Sequence, residues 1–181
     1  MTKILVATIF ILLTNTAAAE NPPEVDEGIA GIKQDKFNFS AESRLFIEEA
    51  APEFLLRYKN ISADWIRHDD KNFFKLKADK EIFSLMGTGL DWNVALNSVE
   101  EKILPSVGLN IYMRVRPRLD VYLQFSGLTL GRHGHFSDFE SGIKYFPQKN
   151  FSISAGWREV NFKRHDKFNL RGLFAGVRYD F

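Results

Sequence analysis

From residue 106 onward, apolar and polar residues take turns along the chain. Val107, Leu109, Ile111, Met113 and Val115 alternate with Gly108, Asn110, Tyr112, Arg114 and Arg116. The same period of two runs through 119–126, 138–146, 150–158 and 168–181, with Leu123, Ile143, Ile153 and Val177 among the apolar residues at odd numbers. Successive side chains of a β-strand point to opposite faces, so each segment predicts a strand with one greasy face and one polar face. Upstream, 88–98 alternates around Leu90, Trp92, Val94 and Leu96, while 72–83 and 53–66 read as strands of weaker phase. These segments predict eight strands between Glu53 and Phe181, an even number with room for each to cross a bilayer. The stretch 40–51 reads as a short amphipathic helix, or 28–49 as a further hairpin that would raise the count to ten.

Turn positions set the register. A connection centred on Pro117 places Arg114 opposite Asp120, Tyr112 opposite Tyr122 and Asn110 opposite Gln124, with Met113 facing Val121 and Ile111 facing Leu123 on the other side. A turn centred on Gln148 predicts Asp138 opposite Arg158 and Tyr145 opposite Phe151. Across the last hairpin Phe151 then neighbours Tyr179, so Tyr145, Phe151 and Tyr179 form an aromatic row suited to a membrane interface.

The chain opens on Lys3, an apolar run from Ile4 to Leu13, and Ala17-Ala18-Ala19 before Glu20. This pattern predicts a cleaved signal peptide over 1–19, followed by an N-terminal segment 20–52 and a barrel over 53–181. The 181 residues carry 24 Lys+Arg against 23 Asp+Glu and no Cys. Balanced charge argues against a nucleic-acid partner. An exported chain without disulfides needs another source of closure, and a barrel closed by backbone hydrogen bonds supplies it.

Which face is inside decides the class. A soluble carrier turns its apolar face inward, whereas an outer-membrane barrel turns it to lipid and fills its lumen with paired charges. The signal peptide, the polar-face pairs Arg114/Asp120 and Asp138/Arg158, and the ending Gly176-Val177-Arg178-Tyr179-Asp180-Phe181 favour the second. That ending, carried by Gly176, Tyr179 and Phe181, resembles the insertion signal of outer-membrane barrels. The resemblance implies recognition by the barrel-assembly machinery. The stretches Pro52–Ile61, Ser137–Tyr145, Ala155–Arg158 and Gly172–Gly176 resemble a family of small proteobacterial outer-membrane β-barrel proteins of unassigned function. The fold expected is therefore an all-β, antiparallel, up-and-down transmembrane β-barrel.

Candidate chemistry is sparse. His135 and Ser137 share the lipid-face parity, and the Gln148-centred register sets Glu159 opposite Ser137. The His-x-Ser pair is similar to that of outer-membrane lipid A deacylases, and a base beside a hydroxyl is what acyl transfer requires. Polar residues meeting lipopolysaccharide headgroups explain the same positions. No catalytic residue is favoured. His133 and His135 lack a nearby third ligand, so no metal or other cofactor is expected. The charge-dense segments 67–71 and 163–167 suit contact with lipopolysaccharide phosphates. The expected protein is a monomeric, non-enzymatic outer-membrane scaffold in contact with lipid and lipopolysaccharide. A lipid A acyl hydrolase is the first alternative. A small porin-like channel is the second, and it gains weight only if the strand count rises to ten or more.

Overall fold

Ten strands form, each placed by the alternation that predicts it or by a partner distant in sequence. The computed structural model describes residues 39–100, 102–129, 134–163 and 167–181. The strands are β1 (Phe39–Phe46), β2 (Pro52–Tyr58), β3 (Ile61–His68), β4 (Lys71–Leu85), β5 (Thr88–Val99), β6 (Lys102–Arg116), β7 (Leu119–Thr129), β8 (His135–Gln148), β9 (Phe151–Lys163) and β10 (Lys167–Asp180). Each pairs antiparallel with its neighbours in sequence, and β1 pairs with β10 to close the barrel. The expected signal peptide, residues 20–38 of the N-terminal segment and His133 lie outside the described residues.

The count of eight is corrected to ten, by a route other than a hairpin over 28–49. The single strand expected over 53–66 folds back at Lys59-Asn60, where Lys59 has φ 53° and Tyr58 pairs with Ile61. Outward apolar residues are even-numbered before this turn (Phe54, Leu56, Tyr58) and odd-numbered after it (Ile61). The weak phase of that segment was a hairpin's change of parity. Residues 39–46, expected as part of a helix or hairpin, are β1, so the barrel begins before Glu53. Ser40, Glu42 and Arg44 point into the barrel there, and Glu42 and Arg44 meet Ser154 and Glu140 on strands far along the chain.

The register about Pro117 is the predicted one, with Arg114 paired to Asp120, Tyr112 to Tyr122 and Asn110 to Gln124. The register about Gln148 is not. Here β8 runs through Gln148 and its pairing shifts between Tyr145 and Gln148, across Pro147. Proline has no N–H to give the ladder, which is why it sits at such irregularities. Beyond it, Tyr145 pairs with Ile153 rather than Phe151, and Asp138 with Val160 rather than Arg158.

The upper end of the barrel carries the connections β1–β2, β3–β4, β5–β6, β7–β8 and β9–β10; the lower end carries the others and both ends of the sheet at Phe39 and Asp180. Strands β4 to β10 have 11–15 residues, whereas β1 to β3 have 7 or 8 and make a lower wall.

Candidate functional site

Inward side chains fill the lumen in two layers. In the upper layer Phe73 stacks on Phe136 with centroids 6.0 Å apart and on Phe168 at 5.5 Å, and Phe136 meets Phe162 edge-on at 6.5 Å. Phe46, Phe73, Phe136, Phe162 and Ile66 have no exposed surface. These apolar residues share the inward face with charged ones, so alternation alone did not single them out.

Below them lies an ionic layer centred on Arg158, which is 1% exposed. Its Nε donates to Asp138 Oδ1 at 3.0 Å, and its Nη2 donates to Asp138 Oδ2 and to Asp64 Oδ2 at 2.8 Å each. Its Nη1 donates to Glu53 Oε1. Lys75 Nζ reaches Asp138 Oδ2 at 2.7 Å and Ser126 Oγ at 3.0 Å. Arg44 joins the set by donating to Glu42 at 2.7 Å and Glu140 at 2.8 Å. Buried charges persist only when paired and hydrogen-bonded, and these charged groups come from six strands, β1, β2, β3, β4, β8 and β9. Arg44 also lies 4.7 Å from the Phe174 ring centroid and Lys75 Nζ 5.8 Å from that of Phe136, which ties the ionic layer to the apolar one.

Further down, Lys77 Nζ donates to Gln124 Oε1 at 3.1 Å and stands 3.3 Å from Asp79. Asn110 Nδ2 donates to Asp79 Oδ1 at 2.8 Å. At the lower rim Arg114 Nε lies 2.8 Å from Asp120 Oδ1. A cavity of about 50 Å³ lies beside the ionic layer, bordered by Asp64, Lys75, Gln124 and Arg158. Asp64 Oδ1 has no hydrogen-bond partner among the described residues. The cavity has room for a few waters and no more.

The outer wall is the reverse. Leu56, Leu76, Leu96, Leu109, Phe125, Ile143 and Leu173 all face outward and exposed, in one belt around the barrel. At the lower edge Tyr179 pairs with Phe151, and its ring meets Phe181 at 4.9 Å; Tyr145 stands apart from them, opposite Ile153. Phe181 N–H donates to Phe39 O at 2.9 Å. Gly176 faces inward, where a Cβ would lie 2.5 Å from Arg44 Cγ.

His135, Ser137 and Glu159 do not assemble as the register predicted. Ser137 pairs with Asn161, and Glu159 pairs with Phe139 and Arg171. His135 Nδ1 bonds the Thr129 hydroxyl at 2.7 Å, and Glu159 accepts from Asn161 Nδ2 at 2.7 Å. The base and the carboxylate are each engaged away from the serine.

No family model matches the chain, and no curated protein matches it. Among solved structures it is similar to a chain described as KdgM porin, at 14% identity and a TM-score of 0.49, over 79% of this chain and 98% of the other.

Proposed function

We propose that this protein is an integral outer-membrane barrel of a Gram-negative bacterium, a non-enzymatic scaffold whose lumen is plugged by its own side chains. The observation that carries the reading is the arrangement of faces, with apolar side chains outward around the barrel and ion pairs inward. A soluble monomer does not expose a continuous apolar belt, because hydration of that area opposes it and association removes it. In hydrocarbon the preference reverses, and a closed sheet leaves no unpaired backbone edge between strands. Strands of 11–15 residues exceed the length a tilted crossing needs, and the bilayer thins to meet the lower wall of β1 to β3. The lower end, where Phe39 and Phe181 meet, faces the periplasm.

Ten strands would favour a channel if the interior were open. Two observations oppose conduction. Arg158 with its carboxylates fills the middle of the lumen, and the stacked Phe73 and Phe136 fill the part above. The test combines fractionation with electrical recording. The protein is expected in the outer-membrane fraction with heat-modifiable gel mobility, and it should give no conductance steps in planar bilayers. Recovery in the soluble fraction would overturn the membrane reading. Steady conductance would overturn the plug.

A further inference from the structure

The apolar belt stops short of the upper rim on β8 to β10, and above it the outer wall turns polar in a defined order. Counting upward, the paired positions are Trp157 and Leu173, then Glu159 and Arg171, then Asn161 and Asn169, with Lys163 above Asn161. On β8 the residues opposite Trp157, Glu159, Asn161 and Lys163 are Ser141, Phe139, Ser137 and His135. On the far side of the barrel β6 stays apolar close to its upper end, with Ile103 57% exposed. On β3, β4 and β5 a single outward polar residue, Arg67, Asn72 or Ser98, stands above apolar Trp65, Phe74 and Leu96, so the polar panel is deepest on β9 and β10.

Asn161 and Asn169 are directly opposed on the outer face. Lys163 is the next outward residue above Asn161 on β9, and Arg171 the next below Asn169 on β10. Opposed and diagonal neighbours on one face of a sheet lie about 5–8 Å apart, which covers Asn161 with Asn169, Lys163 with Asn169 and Arg171 with Asn161; the two long cations stand one level above and one level below the amide pair and can turn toward it from both sides. Lys163, Asn169 and Arg171 are all exposed. Glu159 is occupied by Asn161 Nδ2 at 2.7 Å, which holds its carboxylate at the panel's lower edge. Directly below, the wall continues as Leu173, half exposed, and Trp157.

Given the membrane reading above, we propose that this sector binds a phosphorylated glycolipid. Its sugar phosphate is held by Lys163, Asn161, Asn169 and Arg171, and its acyl chains lie down the wall over Leu173 and Trp157. The polar-to-apolar order of the wall matches that of an amphiphile whose headgroup is at the upper surface. Cations match phosphate, and the amides with the Ser137 hydroxyl match a polyol better than they match a bare anion.

The test uses the purified barrel folded in detergent micelles. A bisphosphorylated glucosamine-disaccharide lipid, its dephosphorylated form and phosphatidylglycerol are titrated in parallel, and retained lipid is counted by native mass spectrometry. The wild type should retain the phosphorylated glycolipid in preference to both others. Lys163→Ala with Arg171→Ala should weaken retention by about tenfold, the effect of losing charge-assisted bonds. Lys163→Arg with Arg171→Lys should restore it, and Arg116→Ala, exposed at the lower end of β6, should leave it unchanged. Heat-modifiable mobility identical to wild type shows that each variant is folded. Equal retention by the double alanine variant, loss on Arg116→Ala alone, or equal retention of phosphatidylglycerol would overturn the site. If the protein fractionates with the outer membrane while any of these holds, the site falls and the barrel reading stands. A soluble protein takes both down.

Discussion

Asp138 and Arg158 are joined by hydrogen bonds of 3.0 and 2.8 Å although the ladder pairs Asp138 with Val160 and Arg158 with Glu140. The long guanidinium spans the diagonal between strands, and by doing so it also reaches Asp64 on β3 and Glu53 on β2 from across the lumen. One side chain therefore ties the β8–β9 hairpin to the β2–β3 hairpin, which lies far earlier in the chain. A two-residue error in register leaves such a contact possible, since the side chain is longer than the error.

Arg158→Ala is expected to destabilise the barrel by about 3–5 kcal/mol, because Asp138, Asp64 and Glu53 lose their common partner while still buried. Urea unfolding in detergent micelles measures this. Arg158→Met with Asp138→Leu should cost less than Arg158→Ala alone, since it removes a charge from each side of the pair.

The lumen is blocked by two layers, so opening it takes two changes. Neither Phe136→Ala nor Arg158→Ala is expected to give conductance in planar bilayers, whereas the double variant should give discrete steps. Conductance from Phe136→Ala alone would show that the ionic layer does not seal.

Charge placed on the outer wall should be costly only within the belt. Leu123→Arg, on β7 in the belt, should lower stability by about 2–4 kcal/mol, whereas Ser98→Arg, outward near the upper end of β5, should cost about 0–1 kcal/mol. Both are read from folded fraction against urea in lipid vesicles. Equal costs would mean that the belt is not in hydrocarbon.

The corrected register makes a direct prediction. The chain has no Cys, so engineered pairs report alone. Ser137→Cys with Asn161→Cys should form a disulfide on mild oxidation, because paired positions bring Cα atoms within the range a disulfide spans. Ser137→Cys with Glu159→Cys should remain reduced. Non-reducing gels distinguish the two, and the opposite result would restore the original pairing.

Much of this molecule is determined by the chain's own alternation. The period of two from 106 to 181 specifies strands, and the turn at Pro117 specifies their pairing, because both depend on residues close in sequence. The polar identity of one face and the apolar identity of the other are likewise written locally. What tertiary structure alone decided is whatever needs a partner from far along the chain. β1 is a strand because β10 closes against it, more than a hundred residues later. The parity change at Lys59-Asn60 distinguishes a hairpin from one irregular strand only when β1 and β4 take up its two sides. The turn lies at Lys149-Asn150 rather than about Gln148, and with the one-residue shift across Pro147 it sets the β8–β9 pairing two positions from the expected one, which separates Ser137 from Glu159 and pairs it with Asn161. The apolar upper plug follows the same rule. Phe73, Phe136 and Phe168 sit on the polar face of three separate strands, and only barrel closure stacks them into a layer that excludes water.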